Sequence, residues 1–258
     1  MEMRSIMEWK PSILNDSITA NQVYVWSVNL DKEKVHTEEF YGLLSLDEKE
    51  KASRFHFEKD RDRYILARGV LRKMLAFYLD KKPIEVSFDY NCYGKPTLTN
   101  DRVHENLRFN MSHSGGIALI AFSRGRKIGV DIERVNNEFD YDQIVQTFFS
   151  KNEIGSIKKT ENDKRHMAFF RFWTRKEAFL KGIGEGLSYP MKEVDVFLQS
   201  CEDWSLIQTF NKNSGQEFWY GKDLFPHSGY AAAIAVQGNN CELTCREYFD
   251  DEEKDIIY

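Results

Sequence analysis

One pattern occurs twice in this sequence. Ser45-Leu46-Asp47-Glu48 has the spacing of a capping box, a hydroxyl at a helix N-cap with a glutamate three residues on. It leads through the charged segment Lys49 to Phe57 into a long helical stretch from Asp60 to Leu79. Ser150-Lys151-Asn152-Glu153 repeats the signal about 105 residues later, ahead of a second long stretch from about Asn162 to Lys181. Arg68 and Arg175 fall at similar places after the two boxes. Helices returning in the same order at that distance point to two related subdomains of roughly 120 residues each, a size that can carry its own core. No low-complexity linker separates them. The expected division is 1–125 and 126–245, with an acidic tail over 246–258.

Periodicity fills in the rest. In the first long stretch Tyr64, Ala67, Val70, Leu71, Met74, Leu75 and Tyr78 recur at three and four, which makes one buried face and points Arg61, Arg68 and Arg72 elsewhere, and Pro83 stops the helix. Strands are expected at Val23–Val28, Ile84–Phe88, Leu107–Met111, Ile117–Phe122, Ile128–Glu133, Val194–Leu198, Trp204–Phe210 and Tyr230–Val236, with turns at Asn91–Pro96 and at Ser112-His113-Ser114-Gly115-Gly116. Strand-like and helical segments together make the chain α+β.

Charge and cysteine content narrow the class. The net charge of −5 does not suit a protein that coats nucleic acid, while 41% hydrophobic residues suffice for a sizeable core. Four cysteines, Cys92, Cys201, Cys241 and Cys245, are too sparse and irregular for a disulfide framework or a zinc site. No run of about 18 apolar residues and no apolar leader are present, so a cytoplasmic protein without membrane or nucleic-acid partners is expected.

The alternating segment Ile128-Gly129-Val130-Asp131-Ile132-Glu133 puts Ile128, Val130 and Ile132 on one face, and Asp131 and Glu133 on the other, with their Cα atoms roughly 6.6 Å apart. Two carboxylates so placed suit a hard divalent cation, although polar alternation also describes any solvent-facing strand. At 100° per residue Glu177 shares a sector with Phe170, Trp173 and Lys181 and is flanked by Phe172, Phe179 and Leu180, which leaves Arg171, Arg175 and Ala178 as the wet face. A half-buried glutamate needs a partner: Lys181 at i+4, a metal ion, or both. Basic residues for an anionic ligand gather at Lys49, Lys51, Arg54, Arg63, Lys95 and His113, although each alone suits an ordinary surface charge. Ser112 beside His113 invites a serine-hydrolase reading, but the segment lacks the G-x-S-x-G elbow and a third triad member.

Four ordered segments, Tyr93-Gly94-Lys95-Pro96, Phe109-Asn-Met-Ser112-His113-Ser114-Gly115, Ile128-Gly-Val-Asp131-Ile-Glu133 and Phe172-Trp173-Thr-Arg-Lys176-Glu177-Ala-Phe-Leu-Lys181, followed by Gly184-Glu-Gly186-Leu187, resemble the Sfp-type 4′-phosphopantetheinyl transferases over about Leu44 to Val236. The resemblance implies an α+β fold of two similar subdomains about a pseudo-twofold axis, each a small antiparallel sheet packed with helices, clasping coenzyme A between them. It implies Mg²⁺ held by Asp131, Glu133 and Glu177, with Lys181 on the same phosphates. Lys95, Ser112 and His113 match motif positions at the coenzyme, and Lys51 and Arg63 match basic positions at its 3′-phosphate end. Where the pattern has a first basic residue before Arg54, this chain has Glu48.

The helix face that Glu177 and Lys181 share suggests Glu177, directly or through a metal-bound water, as the base for the incoming serine and Lys181 as stabiliser of the leaving phosphate. The reaction the likeness implies is transfer of phosphopantetheine from coenzyme A to a serine of an apo acyl or peptidyl carrier protein, with release of 3′,5′-ADP, and a monomer is expected. The alternatives are a coenzyme A-binding module without catalysis and a hydrolase built on Ser112. Tyr141 to Phe149 is either core or a carrier-docking ridge.

Overall fold

The computed structural model describes residues 9–12, 14, 17–31, 37–99, 106–196, 203–209 and 217–249. Two five-stranded sheets lie back to back, each with a long helix on its outer face. The first half runs β1 (Lys10–Ser12), β2 (Gln22–Asn29), α1 (Thr37–Leu43), α2 (Leu46–Ser53), α3 (Glu58–Leu79), β3 (Phe88–Tyr90), β4 (Pro96–Leu98), β5 (Leu107–Ser114) and β6 (Ile117–Arg124). The second runs β7 (Ile128–Arg134), α4 (Asp142–Phe148), α5 (Lys151–Lys159), α6 (Arg165–Ile183), β8 (Val194–Asp195), β9 (Ser205–Thr209), β10 (Trp219–Leu224) and β11 (Tyr230–Gln237), and β12 (Glu242–Tyr248) follows.

The strand order is β1-β12-β2-β6-β5 in one sheet and β7-β11-β10-β9-β8 in the other. The antiparallel trio β2-β6-β5 corresponds to β7-β11-β10, so the same chain order yields the same local topology twice. The sheets are not identical. β12 adds to β2 in parallel, and β1 adds to β12 in parallel, so the first sheet is mixed rather than purely antiparallel. The expected boundary at 245/246 therefore falls inside a strand. The alternation of Leu243 and Cys245 faces the central core and returns the end of the second half to the first half's sheet. The Asp250 to Asp255 run lies outside the described residues.

Alternation decides the layers. Val23, Val25, Leu119 and Ala121 of one sheet meet Ile128, Val130, Ile132, Ile234 and Val236 of the other in a central core. The opposite faces pack on helices, Trp26, Ile120 and Phe122 on α3, and Ala231, Ala233 and Ala235 on the phenylalanines of α6. Ile84 to Phe88 is not one strand: Pro83–Glu85 forms a 3-10 turn and pairing starts at Phe88. Ser112-His113-Ser114 is not a turn but the end of β5, and Gly115 and Gly116 make the bend.

Two charge placements differ from the helical-wheel reading. Arg68 and Arg72 are buried, because the α2 glutamate Glu48 sits beneath them: Arg68 Nε donates at 2.8 Å and Arg72 Nε at 2.5 Å. Arg175 and Ala178 are likewise buried, since β10 covers that side of α6 and offers Asp223, which accepts two hydrogen bonds from Arg175 at 2.7 Å and one from Arg171 Nε at 3.0 Å. Phe149 is core and Phe148 half-buried against Trp173, so this end of the Tyr141–Phe149 segment packs inward.

Candidate active site

The two halves meet where β5 lies beside β7. No backbone ladder joins these strands; side chains of β5 take its place. Asn110 Oδ1 accepts from the Val130 amide at 2.9 Å, and Ser114 Oγ accepts from the Arg134 amide at 3.0 Å. Ser112 donates to Asp131 Oδ1 and Ser114 to Glu133 Oε2, each at 2.8 Å. Asn110, Ser112 and Ser114 all point one way because strand side chains alternate with period two. Asn110 and Ser114 were not among the expected site residues. Their signal was in the sequence: three polar residues at every second position of one strand.

Opposite this seam, α6 approaches β7 closely. A Cβ on Gly129 would stand 2.0 Å from the Ala178 carbonyl and 2.3 Å from the Gly182 amide, so only glycine permits this packing. The close approach brings Lys181 onto Asp131: its Nζ lies 2.6 Å from Asp131 Oδ1 and 2.8 Å from Ser112 Oγ. Asp131 Oδ2 is buried and accepts no hydrogen bond from the described residues. Burial raises the Asp131 pKa against the pull of Lys181, and burial also raises that of Glu133. Glu177, one turn before Lys181, is pushed up to about 7 by burial and by repulsion from Asp131 and Glu133. Lys181 pairs with Asp131 rather than with Glu177.

Among the described residues no three side chains converge tightly enough to hold a metal ion as they stand. Their chemistry nonetheless fits a hard divalent cation. Burial raises the pKa of all three carboxylates, Asp131 raises those of Glu133 and Glu177, Asp131 keeps an orphaned buried oxygen, and the Lys181 ammonium pulls against all three shifts.

Two cations of the first half, Lys51 and Arg63, gather near His113. The pKa of His113 is lowered first by desolvation and then by the nearby charges of Lys181, Lys51 and Arg63. His113 is open to solvent at its surface, although its ring is hemmed in by these groups. Lys51 lies over the Tyr64 ring at 5.4 Å, whereas Lys49 turns to Tyr41 on another side of α2. Lys95 Nζ donates to the Gly182 carbonyl at 2.8 Å, and Asn91 Nδ2 donates to the Gly184 carbonyl at 2.7 Å, so the 91–95 turn caps the C-terminus of α6. Burial pulls the Lys95 pKa down to about 8.

Ser112 and His113 do not form a nucleophile and base. They are adjacent on a strand, so their side chains leave opposite faces, and Ser112 Oγ is already bound between Asp131 and Lys181.

A family model described as "4'-phosphopantetheinyl transferase superfamily" matches residues 127–235, and one described as "4'-phosphopantetheinyl transferase, N-terminal" matches 33–124. The 4′-phosphopantetheinyl transferase HetI of Nostoc sp. is 34% identical over 230 residues, 89% of this chain and 94% of that protein. The 4′-phosphopantetheinyl transferase Sfp of Bacillus subtilis is 30% identical over 178 residues, 67% of this chain and 76% of that one. A crystal structure of Thermotoga maritima holo-[acyl-carrier-protein] synthase overlaps 44% of this chain and 63% of its own, with 20% identity and a TM-score of 0.36.

The chain belongs to the Sfp-type 4′-phosphopantetheinyl transferase family. It is an enzyme that transfers phosphopantetheine to carrier proteins.

Proposed function

We propose that this enzyme takes 4′-phosphopantetheine from coenzyme A, delivers it to a serine of an apo acyl or peptidyl carrier protein, requires Mg²⁺ and releases 3′,5′-ADP. The observation that carries this reading is the opposition at the subdomain seam of an acidic group, Asp131, Glu133 and Glu177, to a basic pair, Lys51 and Arg63, beside His113, with Lys181 between. A diphosphate with a 3′-phosphate at one end needs that arrangement: cations for the terminal phosphate, and a cation held by carboxylates for the diphosphate.

Asp131, Glu133 and Glu177 would hold the magnesium ion. When bound, it neutralises the negative charge of the diphosphate. The chain's own residues supply the rest. Glu177, with a pKa near 7, takes the proton from the serine hydroxyl as its oxygen bonds to the β-phosphorus. The bond from that phosphorus to the bridging oxygen of the 3′,5′-ADP portion breaks, and the Lys181 ammonium, about one-third exposed, meets the charge that grows there. Ser112 fixes Asp131 and Lys181 relative to each other. Cys92 is exposed and Cys241 and Cys245 are buried, and no helix among the described residues is long and apolar enough to cross a membrane. A monomeric enzyme of the cytoplasm completes the proposed reading.

Intact-mass spectrometry of an apo carrier protein incubated with enzyme and coenzyme A tests the reading. The expected result is a gain of one phosphopantetheinyl group with Mg²⁺, none with chelator, and none with Glu177→Gln. Transfer by a folded Glu177→Gln protein at the unmodified rate would refute the base assignment, and transfer in chelator would refute the metal requirement.

A further inference from the structure

Arg63 is not free to receive a ligand as the structure stands. Its Nε donates to Asp31 Oδ1 at 2.9 Å and its Nη2 to Asp31 Oδ2 at 2.7 Å, a bidentate pair closed across the β2 end and α3. The Arg63 side chain is only 18% exposed. Its remaining terminal nitrogen, Nη1, lies 3.8 Å from Asp60 Oδ1.

Asp31 is fixed from several sides. Its amide donates to Asn29 Oδ1 at 3.0 Å, and Lys59 Nζ stands 3.6 Å from its Oδ2. A Cβ on Gly116 would lie 2.5 Å from that same oxygen, so the carboxylate is pressed against the bend that follows His113. The preceding residue, Leu30, donates its amide to the Gly116 carbonyl at 2.7 Å. Hydrogen bonding from Arg63 holds the Asp31 carboxyl below the ordinary range, so it is ionised at neutral pH.

We propose that Asp31 is an internal anion at the 3′-phosphate end of the donor site: it occupies the two Arg63 donors that an incoming phosphate would use. It thereby limits how strongly the enzyme prefers coenzyme A to 3′-dephospho-coenzyme A. The inference rests on the reading of Arg63 as a phosphate-binding residue. A planar guanidinium offers its Nε–Nη2 edge either to a carboxylate or to a phosphate, and a carboxylate that stays nearby also repels the phosphate. Both effects act on the ligand that carries the 3′-phosphate and spare the one that lacks it.

Calorimetric titration of the full chain with coenzyme A and with 3′-dephospho-coenzyme A separates the possibilities. Asp31→Asn keeps the shape and removes the charge. It is expected to tighten coenzyme A by about threefold to tenfold, equivalent to removing one partly exposed charge interaction, and to change the dephospho ligand by less than about twofold. Asp31→Ser, checked by thermal unfolding, is expected to shift the ratio the same way and guards against an effect peculiar to asparagine. Arg63→Gln tests the parent reading and is expected to collapse the ratio. If Arg63→Gln leaves the ratio unchanged, the Arg63 assignment fails and the inference falls with it. If Arg63→Gln collapses the ratio but Asp31→Asn weakens coenzyme A, Asp31 positions Arg63 and does not compete, and the inference alone is overturned.

Discussion

The two halves bury the same device with different charges. In the first, the capping-box glutamate Glu48 receives Arg68 and Arg72, and Arg72 also donates to the carbonyls of Pro83 and Val86 at 2.8 Å each. In the second, Glu153 lies 3.0 Å from Lys176, and Lys176 donates to the carbonyls of Met191 and Val194 at 2.8 and 2.6 Å. In each case one base from the long helix ties the short helix to a 3-10 turn further along the chain, Pro83–Glu85 in the first half and Met191–Glu193 in the second. The strength of the tie differs. Burial opposes ionisation of Glu48, but the charge of Arg68 and the hydrogen bond of Arg72 outweigh it, and the pKa falls. For Glu153 burial outweighs the single lysine, and the pKa rises.

The same asymmetry extends to the site: the first half supplies Lys51, Arg63 and His113, and the second supplies Asp131, Glu133, Glu177 and Lys181. On the proposed reading, the repeated scaffold divides its charges between binding an anion and handling its reacting phosphate.

The largest test of that division is kinetic. Asp131→Asn is expected to lower kcat by about 10³-fold, the scale of removing a central electrostatic group. Lys51→Ala is expected to raise KM for coenzyme A by about threefold to tenfold with kcat little changed. Equal effects of both on kcat would break the comparison.

Next comes stability. Lys176→Met leaves Glu153 with only the Ser150 and Val196 amides and is expected to cost about 3–5 kcal/mol in urea unfolding. Arg72→Met leaves Arg68 on Glu48 and is expected to cost about 1–2 kcal/mol. The reverse order would show that the second arginine adds nothing.

A smaller effect is expected at Lys95. Burial lowers its folded pKa to about 8 from the ordinary 10.5, so the folded state sheds the proton first and the cost of its buried charge fades as pH rises between those values; thermal stability is expected to rise over that window and to stay flat in Lys95→Arg.

The smallest effect lies in acid. A depressed carboxyl such as Glu48 contributes stability above its unfolded value of 4.5 that is lost as pH falls through the folded value. A raised one such as Glu153 takes up its proton earlier in the folded state, so its contribution grows as pH falls toward 4.5. Hydrogen exchange is therefore expected to show α2 and the start of α3 opening before α5 as pH is lowered. Simultaneous opening would remove the distinction.

Much of this was legible in order and spacing. Both capping boxes, both long helices and the alternation that aims Asp131 away from Ile128, Val130 and Ile132 depend on contacts a few residues apart, which local sequence controls. The pairing of Asn110, Ser112 and Ser114 with β7 was half legible: period two put them on one face, but nothing local showed that this face meets another strand. Helical wheels misplaced Arg68, Arg72 and Arg175, because a wheel gives direction and not what lies there. Glu48 and Asp223 arrive from distant elements and make those directions buried.

By itself the sequence determined the repeat, the strand and helix periods and the identity of the carboxylates and cations. Tertiary structure alone decided that β12 returns to the first sheet, that Gly129 against Gly182 lets Lys181 reach Asp131, that Lys95 caps α6, and that Asp31 closes on Arg63. The reason is physical. Periodicity follows from bonds and hydrogen bonds within a few residues, whereas a partner for a buried charge comes from wherever the packed chain brings one, and burial makes having that partner compulsory.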